Sequence, residues 1–213
     1  MRFLAIIFLI LTSCQTINIK KSQEDHLQNA RTMALNHQFK FAVEEYKKAK
    51  HQNKFDYETN FEYAKVLRAA SEFDEAIKVC KEILASLPIK DSMYAEVAEE
   101  TAHNYLTKAD LENAEKYFNE VITIDGYRWR AISHLGLIAA MEGRYAESDN
   151  YFEMALDASN RNYVVLNNYA NAKLLANKCK DAKKLLQEAL TKKIPKDFRL
   201  KIERNLKGLK NCK

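Results

Sequence analysis

The chain has 213 residues, 47% of them hydrophobic, which is enough for a real core and excludes global disorder. Only 4 Gly and 2 Pro interrupt it, so helix breaks and strand turns are scarce and an all-α class follows. The net charge of +5 is gathered at one end: residues 192–213 hold nine Lys or Arg against Asp197 and Glu203, which suits a solvated terminal helix, an acidic partner or anionic lipid headgroups.

The first element is an address. Met1 and Arg2 precede an unbroken apolar run from Phe3 to Leu11, too short for the roughly 20 residues of a membrane-spanning helix but suited to a secretion signal. The segment Leu11-Thr12-Ser13-Cys14 resembles a bacterial lipobox, an apolar residue and two small ones before a cysteine that receives a lipid. The resemblance implies a cleaved signal over 1–13, lipidation of Cys14 and a short polar tether over 14–22. Gln15 stands where aspartate would mark inner-membrane retention in enteric bacteria, so anchorage at the periplasmic face of the outer membrane is expected.

Beyond the tether the sequence repeats. Small residues recur at Ala30, Ala64, Ala102, Gly136 and Ala170, and again at Ala42, Ala76, Ala114, Ser148 and Ala182, with spacings of 34, 38, 34 and 34 in both series. Three residues before the second series lie Phe39, Phe73, Leu111, Tyr145 and Cys179. Four after it lie Tyr46, Cys80, Phe118, Phe152 and Leu186, and seven after it Ala49, Ile83, Val121, Ala155 and Ala189. Apolar spacings of three and four within each unit predict two amphipathic helices, with the turn between them at about His37, Ser71, Ala109, Gly143 and Asn177. Small columns allow close helix approach, the bulky columns fill what is left, and each hairpin must stack on its neighbours to bury its apolar face.

Residues 129–162, with Leu135-Gly136, Gly143, Tyr145, Ala155 and Leu156, closely resemble the tetratricopeptide (TPR) consensus. The resemblance implies an all-α TPR solenoid, a right-handed superhelix of about five helical hairpins at 23–56, 57–90, 95–128, 129–162 and 163–196. About four extra residues fall near Asp91 to Tyr94, and a basic capping helix lies in 197–213. In such arrays the first helix of each unit lines a concave groove for a protein or peptide partner. Carried over, this marks Glu58, Phe61, Lys65, Arg68, Glu96, Glu99, His103, Arg130, Ser133, Leu137, Asn167, Asn171 and Leu174. Asn167 and Asn171, four apart on one helical face, suit hydrogen bonding to an extended peptide.

Catalytic chemistry has no setting in the sequence. The five histidines show no ligand spacing, no Cys-x-x-Cys pair occurs, and the four glycines are isolated, so no metal, cofactor, enzymatic activity or nucleic-acid partner is expected. Glu99 and Glu100 are consecutive on a predicted helix and read as surface charges. Cys80 falls in a core column as a small buried hydrophobe. A capping helix antiparallel to the last second helix would bring Cys212 near Cys179, and a disulfide between them is expected in an oxidising periplasm.

A narrower resemblance covers Asp125 to Leu190. Asp125-Gly126-Tyr127-Arg128-Trp129-Arg130-Ala131, then Leu135-Gly136, then Val165-Leu166-Asn167-Asn168-Tyr169-Ala170 are similar to the TadD family, TPR lipoproteins of tight-adherence (Tad, Flp) pilus systems. Tyr169 and Asn171 replace the more usual leucines. The resemblance implies a scaffold that assists assembly or localisation of a secretin, with a secretin or another pilus component as partner. A pilotin-like lipoprotein of type IV pili and an envelope scaffold recruiting peptidoglycan enzymes are the alternatives.

Overall fold

The computed structural model describes residues 22–89, 91–124 and 128–209, and among these every regular element is a helix. The predicted signal, Cys14, and the final residues including Cys212 lie outside the described residues. The chain divides into two compact units, one ending at Pro88 and the next beginning at Ile89, near where the repeat spacing slips from 34 to 38. The first unit holds α1 (22–35), α2 (Phe39–Gln52), α3 (Tyr57–Ala69) and α4 (Phe73–Leu84). The second holds α5 (Ser92–Thr107), α6 (Leu111–Ile124), α7 (Trp129–Met141), α8 (Tyr145–Ala158), α9 (Tyr163–Leu175), α10 (Cys179–Leu190) and α11 (Lys196–Gly208).

Each hairpin turns by the same local device. His37, Ser71, Ala109, Gly143 and Asn177 have φ of 59°, 67°, 59°, 80° and 57°. This left-handed conformation is strained for residues with a Cβ and free for glycine, yet only one of the five is Gly. The turns are held by a repeated bond to the carbonyl five residues back. The backbone N–H groups of Gln38, Glu72, Asp110, Arg144 and Lys178 donate to the carbonyls of Met33, Leu67, Tyr105, Ala139 and Lys173 at 2.8–3.0 Å. The next residue then opens the second helix: Phe39, Phe73, Leu111, Tyr145 or Cys179. This column sits at the hairpin edge and is only partly covered, Tyr145 being 39% exposed. Several first helices start instead on a side-chain cap. Asp56 accepts from the Thr59 N–H at 2.7 Å, and Asp91 and Asn162 accept from Met93 and Val164 at 2.8 Å.

The other four columns form the core. Ala30, Ala64, Ala102, Ala170, Ala42, Ala76, Ala114 and Ala182 are fully buried, and Ser148 nearly so. The Ser148 hydroxyl donates to the Gly136 carbonyl at 2.7 Å, so the polar member of a small column is satisfied across the hairpin. Tyr46, Cys80, Phe118, Phe152 and Leu186 fill the space beside them, each at most 1% exposed. In the second unit a charged lattice ties neighbouring helices. Arg144 at the start of α8 reaches Glu115 of α6 at 3.0 Å and Glu147 at 2.5 Å, and also binds Glu142. Lys173 of α9 donates to both carboxylate oxygens of Asp149 on α8 at 2.8 Å. Burial opposes the Lys173 charge, but Asp149 and Tyr169 together outweigh it and hold the ammonium above its ordinary pKa.

The predicted capping helix is α11. It buries Ile202 completely and sets the Phe198 ring edge-on to Tyr163 of α9, with centroids 4.9 Å apart.

Candidate functional site

The first helices of the pairs carry the residues that the repeat pattern marks for a groove. In the first unit Glu58, Lys65 and Arg68 of α3 are exposed, whereas Phe61 is 5% exposed. Lys65 lays its ammonium over the Phe61 ring, 3.8 Å from the centroid. Phe61 is therefore covered, and it is Lys65 that is presented to solvent. Beside it, Arg31 of α1 donates to Glu62 at 2.9 Å, and Glu62 also accepts from the Tyr46 hydroxyl at 3.4 Å. Burial, reinforced by Glu62, pushes the Tyr46 phenol up to about 12, so it stays a proton donor.

In the second unit, α5, α7 and α9 carry the remaining predicted groove residues, and the structure sorts them into two sets. Glu96 and Arg130 are exposed, and His103, Leu137, Asn171 and Leu174 are partly buried. Arg130 stacks its guanidinium on the neighbouring Trp129 ring at 4.7 Å, which fixes its direction while leaving it open to a partner. Ser133 and Asn167 are buried, contrary to the expectation for groove residues. The Ser133 hydroxyl accepts from the Asn168 side chain of α9 at 3.2 Å. The Asn167 carbonyl oxygen accepts from Asn205 of α11 at 3.1 Å. Both side chains thus bridge helices, and Asn167 and Asn171 do not act together as an exposed pair. The cause for Asn167 is the capping helix α11, and for Ser133 it is the neighbouring α9.

A cluster the sequence did not announce sits in the same unit. His103 of α5 and His134 of α7, 31 positions apart in sequence, meet edge-to-face with ring centroids 4.5 Å apart. Phe118 of α6 stacks parallel to His134 at 5.1 Å and edge-on to His103 at 5.3 Å. Glu99 approaches His103 at 3.9 Å and Arg128 at 3.4 Å. Burial raises the Glu99 carboxyl, but His103 and Arg128 more than offset it and leave it below its ordinary value. Neither Glu99 nor Glu100 is the surface charge expected: the Glu99 side chain is 14% exposed and Glu100 is buried. The His134 Nδ1 atom is shut off from solvent and has no hydrogen-bond partner. Burial, with His103 adding to it and Glu99 opposing, pushes this imidazole down to about 3, so it is neutral at any physiological pH. Among the described residues no group of His, Cys, Asp and Glu is arranged to hold a metal ion.

Of the cysteines, Cys80 is in no disulfide and is fully buried, as its core column requires. Cys179 is disulfide-bonded. The expected partner, Cys212, lies outside the described residues.

No protein-family model matches the chain. No curated protein sequence matches it. Solved structures do. A TPR protein of Thermus thermophilus superposes with a TM-score of 0.70 at 16% identity, covering 88% of this chain and 98% of that one. A TPR protein of Parabacteroides merdae superposes at 0.64 with 15% identity, covering 89% of this chain and 73% of that one. At such identities the likeness concerns the backbone, and with the repeated left-handed turns and buried small columns it shows that this chain has the fold of a TPR-repeat solenoid.

Proposed function

We propose that this chain is a lipid-anchored TPR scaffold at the periplasmic face of the outer membrane, binding a protein partner in tight-adherence pilus assembly, with a secretin subunit as that partner. The observation that carries the binding part is the α5–α7–α9 face. There Glu96, Arg130 and Asn171 offer charged and amide groups over a floor that includes His103, Leu137 and Leu174, a mixed surface suited to a peptide segment. The pilus assignment and the anchor rest on the sequence: the Trp129-Arg130-Ala131 and Val165-Leu166-Asn167-Asn168 starts, and the lipobox at Cys14. Asn167 and Asn168 are engaged between helices, so partner recognition falls to Arg130 and Asn171.

The test is genetic. Deleting the gene in its own organism should leave prepilin made but not displayed, and reduce the secretin multimer in envelopes. Complementation by the wild-type gene should restore both. Arg130→Glu with Asn171→Lys should not, although the protein accumulates normally, because Arg130 is exposed and Asn171 lies outside the buried core, where substitutions change stability by under about 0.5 kcal/mol. Cys14→Ser should release the protein from membranes washed at high salt, where a lipid anchor would hold. Normal surface pili in the deletion strain would overturn the pilus assignment.

Cys212 is proposed as the partner of Cys179. Peptide mapping of the oxidised, unreduced protein should recover the two cysteines in one linked species and Cys80 as a free thiol. Recovery of Cys212 as a free thiol would reject the pairing.

A further inference from the structure

The last two helices of the second unit carry a charge that neither the groove nor the pilus assignment uses. Residues 178–207 contain eleven Lys or Arg against four Asp or Glu. One of those four, Glu188, is taken by Arg161 from outside the segment, at 2.6 and 2.8 Å. Three of the five basic residues of α11 share its outer side, where Asp197 and Glu203 also stand, while Arg199 is half-buried and donates to the Leu190 carbonyl at 3.5 Å. Lys196, Leu200, Arg204 and Lys207 stand at spacings of four, four and three, hence on one helical face, and all are exposed. The opposite face is the buried one, with Phe198 on Tyr163, Ile202 in the core and Asn205 on Asn167. On α10, which packs against α11, Lys180 and Lys184 are exposed as well. Leu200, 50% exposed, stands between Lys196 and Arg204 on that side.

We propose that this α10–α11 surface docks on anionic phospholipid headgroups, as a contact separate from any lipid at Cys14. Nine of the eleven cations are lysines. Lysine offers mobile point charges rather than the planar fork that reads a particular carboxylate or phosphate, which suits a diffuse anionic sheet. A nucleic acid would be better served by exposed aromatics for base stacking, and the aromatic ring of α11 faces inward. An acidic protein surface would leave Leu200 without a use. At a bilayer the lysines sit at headgroup level and a projecting leucine enters the acyl boundary.

The experiment uses the full mature chain as Cys14→Ser, so that no acyl chain contributes and pilus assembly plays no part. It should co-sediment with vesicles containing phosphatidylglycerol, not with phosphatidylcholine vesicles, and be released as salt rises. The variant Lys196→Glu, Arg204→Glu, Lys207→Glu should lower the partition coefficient on the order of 100-fold, since each basic residue near the surface is worth roughly a factor of five. Leu200→Gln should lower it several-fold with salt dependence kept. Lys40→Glu, Lys54→Glu, Lys81→Glu in the first unit should leave it unchanged, with circular dichroism reporting helix content throughout. Should the first variant lose its fold, Lys180→Gln with Lys184→Gln must still weaken binding at least tenfold. Equal binding to both vesicle types, undiminished binding by the α11 or α10 variants, or capture of a single-stranded oligonucleotide in place of the vesicles would overturn the proposal.

Discussion

Phe152→Ala is expected to cost about 3–5 kcal/mol, the range for emptying a fully buried aromatic site. The ring is completely buried, stacks on Tyr169 with centroids 4.7 Å apart, and presses on α7 where Gly136 has no side chain. A Cβ built at Gly136 would lie 2.9 Å from both Cδ2 and Cε2 of that ring. Gly136→Val should therefore destabilise by at least about 1–3 kcal/mol through overpacking, although removing a helical glycine alone would gain up to about 1 kcal/mol. The pair is reciprocal: Gly136→Ala combined with Phe152→Leu should cost less than the sum of the single changes, because the added methyl occupies space the smaller side chain vacates. Urea unfolding followed at Trp129, the one tryptophan of the chain and a member of the second unit, reads this directly. A loss below about 1 kcal/mol for Phe152→Ala would mean that the site collapses freely, against the close packing described.

Acidification should weaken the second unit before ordinary carboxylates begin to protonate. His134 is pushed down to about 3 in the folded chain, while an unfolded chain titrates its histidines near the ordinary 6.5. Between those values the unfolded state binds the extra proton. Stability from the neutral buried ring is thus complete above about pH 6.5 and is lost as pH falls, at up to about 1.4 kcal/mol per unit. From pH 6.5 to 5 the loss should approach roughly 2 kcal/mol. His134→Leu removes both the titration and the orphaned Nδ1, so its urea midpoint, followed at Trp129, should change less over the same interval. Glu45, Asp56, Glu99 and Glu188 are held below their ordinary values by ion pairs or, for Asp56, by the Thr59 N–H. Their stability is present above the ordinary carboxylate range and is lost only at lower pH, outside this interval. Parallel pH profiles for the wild type and His134→Leu would show that His134 is not the group responsible.

The hairpins are legible in the residue order alone. Turn positions, small columns and bulky columns are local or strictly periodic, so His37, Ser71, Ala109, Gly143 and Asn177 could be placed one by one, and all five are left-handed. The slip from 34 to 38 residues was visible too, and the break between Pro88 and Ile89 falls beside it. What each groove position does emerges only when the helices pack. Asn167 has the same place in its repeat as Glu99 and Ser133, yet one bonds a capping helix, one meets an arginine and a histidine, and one accepts from the next first helix. Periodicity gives a residue its face on a helix; the neighbour that faces it comes from another repeat with its own side chains. For the same reason His103 and His134, scattered in sequence, share one aromatic cluster, and Glu100, which looked like a surface charge, is buried. The repeat fixes the backbone because every unit must bury the same apolar face, and the chemistry between units is set by pairs that no single unit contains.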